Sequence, residues 1–402
     1  MNRTIAAGML ALLICAMPLH AADEPIKWKK IVLSTTFYSE GANFGDFNHD
    51  GKMDVVSGPY WYEGPDFNPQ KRHEFMPVES FKPDGQYSKN FFAFSYDFNG
   101  DGWDDIMIIG FPGQDAAWYE NPKGKEGHWV RHEIYDNVDD ESPQFGDLFK
   151  NGKPVIVCCS HGHIGYVQQE DSDPTQPWKF HAVSPKGNYQ KFTHGIGFGD
   201  VNGDGRNDIL EATGWWEQPE SVDGKTLWKK HEVQFFDPKQ GNGGSQMYAY
   251  DVNGDGRPDV ICALGAHKYG LAWFEQKMDG TFEQHLIMGE KPEDNPQGVV
   301  FSEPHAVDLI DVNGDGLMDI VTGKRHFAHG SHGDPDAMAP SVLYWFELKR
   351  DNGKVSYTAH KIDDDSGVGT QVIARRIDGQ KIPSIVVGNK NGTFVFVPET
   401  GQ

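Results

Sequence analysis

Cysteine is scarce in this chain, four residues in 402. Cys15 falls in an N-terminal apolar run, which leaves Cys158, Cys159 and Cys262, an odd number with two neighbours in sequence. No disulfide framework follows from that pattern. Each sits in a strand-like apolar run, PVIVCCS or DVICALG, so buried, unreactive thiols are expected. Positive charge is also short: 36 Lys and Arg against 59 Asp and Glu give a formal net charge of -23. That excludes a general electrostatic grip on nucleic acid or an anionic membrane, because such a surface repels phosphates; a local basic pocket is still allowed. Past the N-terminus no apolar run approaches the roughly 20 residues of a membrane-spanning helix, so no transmembrane anchor is predicted. P-loop, nucleophile-elbow and dinucleotide-binding motifs are missing, which weakens kinase, hydrolase and dehydrogenase readings. Glycine and proline are plentiful, 47 and 24, beside 38% hydrophobic and 12% aromatic residues. Together they predict short strands joined by many turns.

Arg3, the apolar run Ile5 to Met17 and the small residues Ala21 and Ala22 have the layout of a secretory signal peptide. Residues 1–22 are expected to be removed and 23–402 exported to the periplasm or the medium. Lipidation at Cys15 is disfavoured by Ile14 before it, where a small residue is usual.

The nine-residue pattern D-x-N-x-D-G-x-x-D occurs five times, beginning at Asp46, Asp97, Asp200, Asp251 and Asp311. Each copy leads into a short β-rich run, then a strand carrying Trp, an aromatic and Glu, then a strand carrying His (His73, His132, His231, His285, His360). Two degenerate copies start at Asp147, with His181 in its last strand, and at Arg376. Starts lie 50 to 65 residues apart, the size of a four-stranded propeller blade. The expected fold is therefore all-β, a seven-bladed β-propeller spanning 23–402. Strand 27–33, reading KWKKIVL, is expected to complete the blade formed by 371–397 and so close the ring, which removes exposed sheet edges.

Oxygen groups at positions 1, 3, 5 and 9 of a tight loop, with Gly at 6, suit one hard cation. The sets are Asp46, Asn48, Asp50, Asp54; Asp97, Asn99, Asp101, Asp105; Asp200, Asn202, Asp204, Asp208; Asp251, Asn253, Asp255, Asp259; and Asp311, Asn313, Asp315, Asp319. Three aspartates crowded into each loop would repel one another without a cation, so up to five structural Ca²⁺ are expected; Asp, Asn and Gly favour turns in any case. In these loops and their spacing the chain resembles the FG-GAP or VCBS repeats of integrin-α-type propellers. That resemblance implies calcium between the first two strands of a blade.

The periodic histidines are assigned to outer-strand packing. His161, His163, His194, His267, His305, His326, His329 and His332 remain, each just before a first strand or just after a second one. In an up-and-down blade both places fall on the face opposite the acidic loops. His194, His267, Glu303 and His305 are the candidate ligands of a transition metal, Zn²⁺ or Mn²⁺, in the funnel. Candidate catalytic groups are His161, His163, Lys324, Arg325, His326 and His329, as general base or oxyanion stabiliser. Candidate substrate contacts are Lys89, Gln144, Lys191, Gln246, Lys268, Asp334, Asn389 and Lys390. In layout the chain is similar to the propeller domain of aldos-2-ulose dehydratases and to propeller polysaccharide lyases, which implies proton abstraction and β-elimination on a keto or uronic sugar. The alternative expectation is a propeller that binds a glycan or a protein without chemistry; fold alone does not decide between them.

Overall fold

The computed structural model describes residues 25–399; the expected signal peptide and Cys15 lie outside the described residues. Two single-turn 3-10 segments, Pro69–Lys71 and Pro292–Asp294, interrupt a chain of β-strands and turns. The five full repeats open with first strands Ala42–Gly45, Phe92–Tyr96, Ile196–Gly199, Gln246–Tyr250 and Val307–Ile310. Each is followed by its acidic loop and an antiparallel second strand: Asp54–Ser57, Asp105–Ile109, Asp208–Glu211, Asp259–Ala263 and Asp319–Gly323. Every residue of these second strands is buried. They read as continuous apolar runs because both faces pack against neighbouring sheets.

Third strands carry the Trp and fourth strands the His, and the two face each other in register: Trp61 opposite His73, Trp118 opposite His132, Trp215 opposite His231, Trp273 opposite His285 and Trp345 opposite His360. The imidazole stacks on the indole at centroid distances of 3.9 to 4.4 Å. Its Nε2 meets the Glu of the same Trp-aromatic-Glu motif at 2.7 to 2.9 Å. The periodic His is thus a packing device in every full repeat, as its periodicity predicts.

The strands form sheets of four, seven, eight, four and four members. The seven-stranded sheet contains Val130–Gly146, whose first half pairs with Gln114–Glu120 and whose second half pairs with Val155–Ser160. Where a break between repeats is expected, the chain runs on with a register shift. At the N-terminal end Trp28–Ser34 pairs antiparallel with Gly392–Pro398 near the C-terminal end. First strands of different repeats lie side by side, Ala42–Gly45 touching both Phe92–Tyr96 and Val372–Arg375. Apolar clusters bridge adjacent repeats, for example Trp273, Val307 and Phe346. Cys158, Cys159 and Cys262 are free and buried.

Candidate functional site

Glu141, His194, His267 and His305 converge, with one potential ligand atom from each lying within 4.8 Å of the others. Local structure explains the aim of each side chain. Asp140 is fully buried and adopts φ 80°; its carboxylate accepts from the N–H groups of Ser142 (2.7 Å) and Cys159 (3.2 Å). This left-handed residue kinks the strand and presents Glu141, whose own N–H donates to Thr193 O at 2.9 Å. His194 and His305 sit two residues before Ile196–Gly199 and Val307–Ile310, and His267 follows Asp259–Ala263. All three places are at the end of the strands opposite the acidic loops.

Hydrogen bonding sets the ring that matters most. His194 Nδ1 lies 2.9 Å from Phe192 O; a carbonyl only accepts, so Nδ1 carries the hydrogen, and in the neutral ring Nε2 keeps its lone pair. That Nε2 stands 3.0 Å from His267 Nε2 and 3.6 Å from Glu141 Oε2, and His305 Nε2 stands 3.2 Å from the same oxygen. His305 is completely buried, and neither of its ring nitrogens has an aligned hydrogen-bond partner. Burial, with Arg325 adding, pushes its pKa down to about 4; burial and the neighbouring imidazoles push His267 down as well. Both are therefore neutral near pH 7. Burial opposes charge on Glu141, but the facing His194 and His305 hold its carboxyl well below the usual range.

Zinc bonds to N and O of about 2.0–2.1 Å place tetrahedral ligand atoms about 3.3–3.4 Å apart. Three of the six separations, 3.0, 3.2 and 3.6 Å, lie about that edge, and all six are within 4.8 Å. Neutral imidazoles, an ionised carboxylate and orphaned buried nitrogens fit a divalent transition metal, and three imidazoles suit Zn²⁺ better than Mn²⁺.

Glu303, expected in this set, is not there. It is fully buried at φ 57° and pairs with Lys324 Nζ at 3.1 Å, while its second oxygen accepts from Ala328 N–H at 3.0 Å. Glu141 supplies the carboxylate instead. Lys324 is fully enclosed and spent on Glu303. Arg325 turns the other way: it binds Glu40, comes within 3.7 Å of Glu141 and borders the site. His329 Nδ1 donates to Asp334 at 2.8 Å, a contact that raises the His329 pKa, and the His329 ring lies 4.4 Å from that of His267. Asp334 Oδ1 is also 4.0 Å from His267 Nδ1.

Other expected contacts go elsewhere. His161 is exposed, His163 bonds Ser184 O (2.9 Å) and His326 bonds Ser341 Oγ (3.0 Å). Lys89 pairs with Glu79. Gln246 bridges Thr370 O and Val307 N, and Asn389 binds Ser366 O. Gln144 is half-buried within its strand. Lys390 is buried, 4.4 Å above the Tyr87 ring and bonded to the Phe327 and Ala328 carbonyls. Lys191 lies over the Phe192 ring at 4.7 Å, and Lys268 lines a cavity. Glu40 and Glu141 are not among the expected site residues, since neither lies in a repeated motif of the sequence.

Two cavities meet at the imidazoles. One, of about 620 Å³, is lined by Asn188, Gln190, Asn242, Lys268, His194 and His267 among others. The second, of about 390 Å³, is walled by Tyr87, Phe91, Phe111 and Phe192, with Glu141, Arg325 and His329 also facing it.

At the opposite end the acidic loops share one geometry. The first Asp accepts from the backbone N–H groups at positions 5 and 6, as Asp200 does from Asp204 (3.0 Å) and Gly205 (2.8 Å). Position 6 needs glycine because its φ is near 90°, 92° at Gly205. The ninth residue is buried and pins backbone: Asp208 accepts from Val201 (3.0 Å) and Gln218 (2.9 Å), and Asp54, Asp105, Asp259 and Asp319 repeat the pattern. Burial, with repulsion from the other aspartates of the loop, pushes Asp54, Asp105 and Asp319 up to about 7 and Asp208 and Asp259 up to about 6. An all-oxygen donor set that repels itself fits a hard cation.

The chain is thus an all-β repeat protein with acidic loops at one end and a buried His/Glu centre at the other. Residues 97–158 and 251–322 match the FG-GAP-like repeat, so the chain carries FG-GAP-like repeats. No curated protein matches the sequence. Among solved structures it is similar to an Agrocybe aegerita lectin described as recognising non-reducing terminal N-acetylglucosamine, at 19% identity over 85% of this chain and 82% of that one, with a TM-score of 0.49. It is also similar to the V. cholerae biofilm matrix protein Bap1, at 15% identity over 73% of this chain and 43% of that one, with a TM-score of 0.35; the chain thus spans less than half of the biofilm protein.

Proposed function

We propose that this protein is an exported, calcium-stabilised seven-bladed propeller that binds a glycan at a zinc centre held by Glu141, His194, His267 and His305. In this reading Val130–Gly146 serves two blades, Trp28–Ser34 closes the ring, and each acidic loop takes one Ca²⁺. The observation that carries the functional part is the convergence of three imidazole nitrogens and one carboxylate, with His305 buried and otherwise unpartnered. Zinc would supply Lewis acidity toward a sugar oxygen. The protein's own groups do the rest: Arg325 offers positive charge beside the centre, and the exposed carboxamides of Asn188 and Asn242 offer donors and acceptors to hydroxyls. The test is binding to a glycan array by native protein, chelator-treated protein and the His194→Ala variant. Binding should vanish in the last two and return to the first on adding zinc; undiminished binding without zinc contradicts the proposal.

The His329–Asp334 pair at the edge of the same cavity favours a second reading, elimination on an oxidised sugar. There His329 Nε2 would take the proton α to a carbonyl or carboxylate, the C–H electrons would form an enolate that collapses to the new double bond as the β C–O bond breaks, and the leaving oxygen would take its proton back from the His329 imidazolium. Arg325 would stabilise the negative charge on the enolate. His329→Gln should then abolish release of an ultraviolet-absorbing unsaturated product while leaving glycan binding in place. If native protein releases no such product from any keto or uronic sugar, binding without chemistry stands.

A further inference from the structure

The two cavities that meet at His194 and His267 differ in chemistry, and the difference specifies more than a generic sugar. On one side the wall is polar. Asn188, Gln190 and Asn242 are exposed to the cavity, and their carboxamides make no side-chain hydrogen bond among the described residues, so donors and acceptors stand free. On the other side four rings build an aromatic wall, opposite Glu141, Arg325 and His329, that makes a half-cage: Phe111 packs against Tyr87 at 5.2 Å, against Phe91 at 5.2 Å and against Phe192 at 5.9 Å. Phe192 borders both cavities and remains 41% exposed. Its open ring stands at the partition between the two chambers, within reach of a ligand in either.

We infer that the ligand is a glycoside with an aromatic aglycone: the sugar occupies the Asn188/Asn242 side, and the flat apolar group enters the Tyr87–Phe111–Phe192 cage. The glycosidic linkage then crosses the partition beside His194 and His267. A cage of about 390 Å³ accommodates an aromatic ring with room to spare, and rings in that setting prefer the tilted and edge-on contacts that its walls already make with one another. A lone sugar would leave the aromatic wall of that cavity against water, an unfavourable arrangement for those rings. This inference rests on reading the funnel as a ligand site, but the cage does not need the metal.

Calorimetric titration with matched methyl and phenyl β-glycosides of glucose, galactose, N-acetylglucosamine and glucuronic acid, together with 4-nitrophenol as a bare aromatic probe, tests it. Phenyl glycosides of the preferred sugar should bind at least tenfold more tightly than the methyl compounds, and 4-nitrophenol should bind saturably on its own. Phe192→Ala should erase both the preference and the 4-nitrophenol binding while keeping the zinc content, since His194 is oriented by the Phe192 backbone carbonyl and not by its ring. Phe111→Leu should weaken both. Equal affinity for methyl and phenyl glycosides overturns the inference, and so does failure of 4-nitrophenol and every phenyl glycoside to bind. Binding of 4-nitrophenol by zinc-free protein, with the sugar preference lost, sustains the cage and sinks the zinc-centred function instead.

Discussion

His194 Nε2 faces His267 Nε2 at 3.0 Å, and the hydrogen bond from His194 Nδ1 to the Phe192 carbonyl turns the single hydrogen of a neutral ring away from that contact. Two imidazoles brought this close inside a protein need either a proton or a shared cation between them. His305, within 3.2 Å of Glu141 on the same site and without an aligned partner, extends the cluster beyond what one proton satisfies.

The backbone kink at Asp140 is a precondition of the site. Asp140→Ala removes the acceptor of two buried N–H groups and places alanine at φ 80°. A loss of roughly 2–4 kcal/mol follows from the unsatisfied donors and the left-handed strain. Denaturant midpoints measure this, and zinc content should fall with stability; an unchanged midpoint contradicts the role.

The acidic loops divide into two jobs. Asp54→Ala orphans the N–H groups of Phe47 and Gly64 and should destabilise the protein by roughly 2–4 kcal/mol whether or not calcium is present. Removing calcium from the native protein should lower the melting temperature, since each loop held at one hundred times its Kd adds about 2.7 kcal/mol. Thermal scans with and without calcium separate the two effects; a melting temperature indifferent to calcium contradicts the loop assignment.

The His–Glu clamps predict acid sensitivity. The hydrogen bond from His231, then that from Lys229, holds Glu217 below its ordinary range of 4.5. A carboxyl with a depressed folded pKa contributes stability that is present above about pH 4.5 and lost as pH falls through the lower folded value. Melting temperature should therefore drop below pH 4.5, and His231→Gln should flatten that drop. A variant as acid-sensitive as the native chain removes Glu217 from the explanation.

Much of this architecture was legible in the sequence because its causes are local. The loop aspartates accept from N–H groups four and five residues ahead, and the Trp–His–Glu clamp joins neighbouring strands, so both recur with the repeat. The pairing of residues 27–33 with the C-terminal strand was legible too, since KWKKIVL repeats the fourth-strand pattern. The site was harder because its contacts span the chain. Lys324 and Arg325 are adjacent, yet one closes on Glu303 and the other on Glu40, 285 residues away. Glu303 and Glu141 are equivalent in composition and differ in backbone: φ 57° turns Glu303 toward Lys324, whereas the kink at Asp140 turns Glu141 toward the histidines.

Elemental analysis by inductively coupled plasma mass spectrometry on purified protein tests the central claim most directly, with native chain compared to His194→Ala. The account predicts close to one zinc per native chain, distinct from calcium, and little or none in a variant that keeps its calcium and its fold. Calcium alone in the native protein, or zinc undiminished in His194→Ala, would contradict it.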